Sequence, residues 1–325
     1  MKNINLKDSL VKFQSIIALI LLCIILSILS DRFLTPENGW NIMRQISINV
    51  CISVGMTLVI LTKGIDLSVG SILAFSGAIT AGLLVNGIQI PALDLFIGFT
   101  VFGAILSGLV AGGSLGLFNG WMITRFKVPP FVATLAMLTI ARGATMLWTG
   151  GFPITGLGEH FAFIGTGWFL GIPMPVWITI IVVTLAVIVT KRTKFGRHIY
   201  AIGGNENAAR LSGISINRVK IWVYILAGIL SAVGGIILTS RLDSAQPNAG
   251  FSYELDSIAA VVIGGTSLSG GRGSIMGTVQ GALIIGVLNS GLVLLNVSPF
   301  WQQLVKGFVI LSAVILDRLN HPNEE

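Results

Sequence analysis

The sequence predicts an all-α fold: a polytopic membrane protein of about ten transmembrane helices, both termini cytoplasmic, with some helices short or broken. Three observations predict it. Of the 325 residues, 54% are hydrophobic and only 10% charged, and the mean hydropathy is +0.89, so too few charges exist to cover a water-soluble globule of this size. Apolar runs approaching the ~20 residues a spanning helix needs recur along the whole chain, separated by charges, Pro or Gly clusters. With the N-terminus placed in the cytoplasm, 15 of the 20 Lys and Arg fall on the inner side, the bias that orients membrane proteins.

The runs cover residues 14–30, 42–61, 67–85, 95–123, 131–148, 174–190, 221–238, 257–268, 275–297 and 300–316. The first follows Lys2, Lys7 and Lys12 and resembles a signal peptide. No small-residue cleavage site follows it and many spans come after, so it reads as an uncleaved first helix. The inner-side cations are these three, Lys63, Arg125, Lys127, seven within residues 191–220, Arg272 and Arg318. Arg32, Arg44 and Arg241 fall outside or near an outer span end, and Arg142 and Lys306 fall within spans. The eighth run is the weak one, but omitting it would export Arg272 and Arg318.

That run loses its apolar character after Ile263 and enters GGTSLSGGRGS. It reads as a half-helix whose non-helical end is buried against other helices, because lipid cannot satisfy an open backbone. A second break is TKGIDLSVGS at 62–71, between the second and third runs. The two breaks share residues: Leu67, Ser68, Gly70, Ser71 and Ile72 match Leu268, Ser269, Gly273, Ser274 and Ile275, a pattern compatible with an internal duplication. The fourth run carries Gly108, Gly112, Gly116 and Gly120, one per helical turn, and Gly273, Gly277 and Gly281 repeat the spacing. Such a stripe lets a neighbouring backbone approach closely, as static packing or as a sliding surface, and static packing is the favoured reading.

Residues 191–220 form the only long polar stretch inside this apolar chain and hold seven of its 20 Lys and Arg. Within them Asn205 can N-cap a short helix, Glu206 favours the helix's positive end, and Gly213 can close it in the left-handed conformation. A capped helix on an inner-face loop suggests a docking surface.

Ionisable groups in or beside spans are costly and become functional candidates. Asp66 sits in the first break, as a structural cap or a gating group, beside Ser68; Ser269 is the matching serine in the second break. Arg142 and Lys306 either pair with a carbonyl or snorkel, or line the pathway. Glu254 and Asp256 fall on the outer side of the eighth run, solvated or facing a partner. Trp40, Trp121, Trp148, Trp168, Trp177 and Trp301 mostly lie near span ends, which favours interfacial anchoring. Cys23 and Cys51 lie in apolar runs and read as small hydrophobes rather than a disulfide or metal ligands.

Several chemistries are excluded. The basic residues sit in short loops rather than one exposed stripe, against nucleic-acid binding. GGSLG at 112–116 satisfies G-x-S-x-G, but His160, His198 and His321 all lie outside the spans, so Ser114 has no base. GRGSIMG at 271–277 has the wrong spacing for a dinucleotide turn, and no Gly-Lys dipeptide exists to build a phosphate loop. No catalytic, cofactor or metal-ligating residue emerges; if ATP drives the protein, another chain binds it. The residues alone lead to a many-helix transporter, with an ion-coupled secondary transporter complete in one chain still open.

The strings GIDLSVGS, VPPFVATLAMLTIARG, GRHIYAIGGNENAARLSGISINRVK and SRLDSAQPNAGFSYELDSIAAVVIGGTSLSGGRGSIMGT resemble the permease subunit of bacterial ribose ABC importers, within the wider monosaccharide-importing group. The resemblance runs from about Phe33 to Asp317, and permeases for xylose, galactose, arabinose and autoinducer-2 look similar. It implies one permease domain over 1–325 in the bacterial cytoplasmic (inner) membrane. The implied partners are a second permease copy, separate ABC ATPase subunits beneath and an extracytoplasmic sugar-binding protein. It also implies that Gly204, Asn205, Glu206, Ala208, Ala209, Arg210, Leu211 and Gly213 form the coupling helix seated in the ATPase. Asn207 departs from the acidic or small residue expected there. On this reading Ala209→Trp would leave insertion intact and abolish sugar-stimulated ATP hydrolysis.

Overall fold

The computed structural model describes residues 6–90 and 94–320; Lys2 and His321 lie outside them. Helices follow the apolar runs. α1 (Leu6–Leu29), α2 (Pro36–Leu61) and α3 (Val69–Asn86) lead to an antiparallel hairpin of β1 (Ile88–Ile90) and β2 (Leu95–Ile97). α4 (Val101–Arg125) and α5 (Pro130–Thr149) precede β3 (Ile154–Thr155), the short α6 (Glu159–Thr166) and a second hairpin, β4 (Trp168–Phe169) with β5 (Ile172–Pro173). Then come α7 (Met174–Arg192), α8 (Lys194–Gly204), α9 (Glu206–Leu211) and α10 (Ile216–Leu242). β6 (Ser244–Ala245), α11 (Tyr253–Ile263), α12 (Ile275–Leu294) and α13 (Pro299–Asn320) complete the chain. β3 and β6 pair antiparallel, Ile154 opposite Ala245, and tie the loop after α5 to the end of α10.

Among the described residues seven helices, α2, α3, α4, α5, α7, α10 and α12, are long and apolar enough to cross a membrane, which makes this a multi-pass membrane protein. The fourth run needs correction at its start. Residues 95–97 are the exposed strand β2, and the helix begins only at Val101, where the Thr100 hydroxyl accepts the Gly103 N–H at 3.2 Å. Three apolar residues before Gly98 carry no periodicity that separates strand from helix.

The core is built around α2. Every residue from 46 to 62 is buried, the polar Ser47, Asn49, Ser53, Thr57 and Thr62 among them. α10, α12, α7 and α11 surround it, and α10 in turn packs on α3 and α4. α4, α5 and α7 instead leave large apolar side chains such as Phe102, Leu147 and Leu185 exposed, a surface suited to lipid.

The glycine stripe of α4 is where two backbones meet. A Cβ on Gly112 would stand 2.6 Å from the Gly228 carbonyl oxygen of α10, one on Gly116 would fall on the Tyr224 carbonyl, and one on Gly120 would stand 2.8 Å from the Ile221 Cα. Gly277 and Gly281 bring α12 equally close to the Gly264 and Ala260 carbonyls at the end of α11. Both stripes are packed contacts.

The eighth run is a helix of only 11 residues, α11, followed by an irregular return over 264–274. Its backbone finds partners within the protein: Gly265 N–H donates to Val262 O, Thr266 N–H to Val261 O, Ser267 N–H to Arg272 O and Gly271 N–H to Leu61 O, all within 3.1 Å. Internal satisfaction of this kind is what lets non-helical backbone exist at membrane depth.

Candidate functional site

The polar stretch folds into two short helices and a turn. The Thr193 hydroxyl accepts the Gly196 N–H at 3.1 Å and starts α8, which buries Ile199 and Ile202 and leaves Lys194 and Arg197 exposed. Asn205 ends one helix and opens the next. Its N–H donates to Ala201 O at 3.1 Å, and its side-chain oxygen accepts the Ala208 N–H at 2.9 Å, so it N-caps α9 as the sequence predicts. Glu206 then binds Lys220 Nζ at 2.7 Å and Arg210 at 3.5 Å, tying α9 to the first turns of α10. Gly213 takes the left-handed conformation (φ +82°), and the Ile214 N–H closes back on Ala209 O at 3.1 Å.

The eight residues expected to form a coupling helix do not share one face. Asn205, Ala208, Arg210, Leu211 and Gly213 are exposed, Leu211 at 89%, whereas Ala209 is 4% exposed and packs in the main core cluster with Ile216, Val219 and Val223. Ala209→Trp would therefore disrupt packing inside this chain and is no probe of an outer surface. Leu211 is the better one.

α8 rests directly on the end of α2, just before the first break, and on the second break. Gly203 lies so close to the Leu61 carbonyl and the Gly271 backbone that a Cβ would overlap both, and Tyr200 Oη donates to Gly273 O at 3.0 Å. Gly271 itself donates to Leu61 O at 3.0 Å. The end of α2, the return after α11 and the polar platform thus meet at one joint.

The remaining candidates are dispersed. Asp66 and Ser68 lie together, fully buried: Asp66 Oδ1 accepts the Ser68 N–H at 2.9 Å and its hydroxyl, and Asn119 Nδ2 of α4 donates to Ser68 Oγ at 2.9 Å. Thr134 Oγ1 of α5 donates to Ile65 O at 3.2 Å, so the first break is knitted to two neighbouring helices. Ser269 is far from this cluster in environment, exposed on a small cavity lined also by Lys63, Gly203, Gly204 and Arg272. Arg142 Nη1 donates to Pro247 O at 2.7 Å and Ala249 O at 2.8 Å. Lys306 pairs with Asp256 at 2.9 Å; Asp256, expected to be solvated or to face a partner, is 3% exposed inside α11. Asn119 was not legible as a site residue because nothing local marks an asparagine that bonds across 51 positions.

The family profile described as "Branched-chain amino acid transport system / permease component" matches residues 39–314. This chain belongs to that family. The permease is 54% identical over 319 residues to the ribose import permease protein RbsC of Bacillus subtilis (strain 168), covering 98% of this chain and 96% of that one. Its identity to RbsC of Escherichia coli (strain K12) is 50% over 315 residues, 96% and 95% of the two chains. With the D-allose transport system permease protein AlsC of the same strain it is 39% over 300 residues, 92% and 89% of the chains. No solved structure matches. These relatives are transport proteins, so this permease moves a solute and is not an enzyme.

Proposed function

We propose that this chain is the membrane-spanning subunit of an ABC importer for a monosaccharide, ribose before allose, xylose or galactose. Two copies form the pathway in a bacterial cytoplasmic membrane. ATP hydrolysis takes place on separate chains, and an extracytoplasmic binding protein delivers the sugar. The observation that carries this is the identity of 50% or more, along nearly the whole chain, to ribose import permeases, against 39% to an allose permease. The positive-inside bias supports ten membrane passages with both termini cytoplasmic, the short α11 and its buried return serving as one of them.

Mechanically, closure of the ATPase pair presses on α9 from below. α9 is tied to α10 by Glu206–Lys220, and α8 bears on Leu61 and Gly271, so displacement of the platform reaches both helix breaks. ATP binding opens the pathway only by favouring one of two helix packings, because a ligand shifts an equilibrium through differential affinity alone.

The test is reconstitution in liposomes with the cognate ATPase and binding protein, following uptake of labelled ribose, allose, xylose and galactose. Ribose uptake is expected to need ATP and all three components. Uptake by the purified chain alone would overturn the proposal.

A further inference from the structure

The inner face carries a second feature beside α9. A groove of about 700 Å³ opens between the α4–α5 turn, with Lys127, Val128 and Pro129 on one wall, and Arg210, Asn217 and Lys220 on the other. We propose that this groove receives an acidic segment of the ATPase subunit, so that the permease is gripped at the α4–α5 turn as well as at α9. The proposal rests on the function proposed above and adds a docking element to it.

Charge is the first argument. Three cations and one carboxylate line the groove; Glu206 pairs with Lys220 and Arg210, so one negative charge is shared by two positive ones and Lys127 stands outside that pairing. Lys127 is exposed and makes no ion pair among the described residues. A concave surface with a positive excess selects an acidic partner and speeds its approach.

Presentation is the second. Lys127 is held at φ +56°, a conformation rare for a side-chain-bearing residue, and two prolines follow at 129 and 130. The turn is therefore stiff, and little ordering entropy is lost when it docks. Exposed apolar side chains sit next to the groove's cations in sequence, Phe126 beside Lys127 (58% exposed) and Leu211 beside Arg210 (89%). Leu211 shares the exposed side of α9 with Asn207, Ala208 and Ser212. Large apolar residues among solvated polar ones mark a protein interface, whereas a lipid headgroup would use the cations and leave Leu211 in water.

The experiment places the full-length permease in nanodiscs and titrates it with the cognate ATPase subunit. Lys127→Glu is expected to raise the half-saturation concentration about five- to tenfold at low salt, with the gap closing near ~0.5 M NaCl. Lys127→Arg should match the parent, and so should Arg32→Glu, a charge reversal in the loop between α1 and α2. Leu211→Glu should abolish capture through α9. If Leu211→Glu abolishes capture while Lys127→Glu binds like the parent, the groove proposal fails and the α9 docking stands. If the parent chain itself does not bind the ATPase, both fail. If the Lys127→Glu effect appears in phosphatidylglycerol nanodiscs and vanishes in phosphatidylcholine ones, the groove holds a lipid headgroup and the proposal is overturned.

Discussion

Lys306 is an ammonium placed in an apolar helix, and its position is stable only because Asp256 meets it at 2.9 Å from a helix 50 residues away in sequence. Removing one partner of such a pair leaves the other buried and uncompensated. Lys306→Ala should therefore cost about 3 kcal/mol of stability, read as a lowered midpoint of thermal unfolding in detergent, whereas Lys306→Met with Asp256→Leu should recover most of it. A single substitution without effect would mean that the pair is not formed. Asp66 poses a different question, since its partners are the Ser68 N–H and hydroxyl rather than a cation. Asp66→Ala strands those donors at the start of α3 and should cost about 1–3 kcal/mol, while Asp66→Asn keeps an acceptor oxygen and should cost less. Equal damage from Asn and Ala, measured by thermal unfolding and by ribose uptake, would show that the negative charge itself is required. The Lys306–Asp256 pairing could not be read from the chain, because it comes from tertiary packing across 50 residues, whereas the hold of Asp66 on Ser68 is local and is the structural cap that the first break offered.

Elements were legible in proportion to how far one residue property repeats. The long apolar runs announced α2, α3, α5, α7, α10 and α12, and the four-residue glycine spacing announced the close approach of α4 to a neighbour. The hairpins, α6 and α8 were not announced. Two- and three-residue strands have no period, and α8 hides its inward residues, Ile199 and Ile202, within a strongly basic segment. The Gly stripe yields a contrast between two helical glycines. Gly116→Leu would drive a side chain into the Tyr224 carbonyl, separate α4 from α10 and cost at least about 1–3 kcal/mol, seen as poor recovery of monodisperse protein. Gly143 is exposed in α5, and a Cβ there would meet nothing within 4 Å, so Gly143→Ala should stabilise by about 0.5–1 kcal/mol through the helix propensity it gains. Loss of folded protein in the second variant would contradict the exposure of that helix face.

At the scale of the whole molecule, the many-helix transporter was legible and the joint between the polar platform and the helix ends was not. The sequence marked both breaks and the polar stretch separately, but only the fold brings Leu61 into contact with Gly203 and Gly271, each more than 140 residues away. That joint is where a push on the platform must pass if it is to move the breaks. Gly203 and Gly204, adjacent in sequence, separate transmission from docking. A methyl group on Gly203 would overlap the Leu61 and Gly271 backbones, whereas one on Gly204 meets nothing within 4 Å. Gly203→Ala should therefore leave capture of the ATPase intact through α9 yet reduce ATP-driven ribose uptake by more than about tenfold, because the packed joint has discrete arrangements rather than continuous give. Gly204→Ala should transport like the parent. Equal tolerance of both substitutions would mean that force bypasses the joint; equal loss would place the sensitivity at the docking face, since a methyl group on Gly204 points away from the Gly271 backbone beside it and meets no internal neighbour.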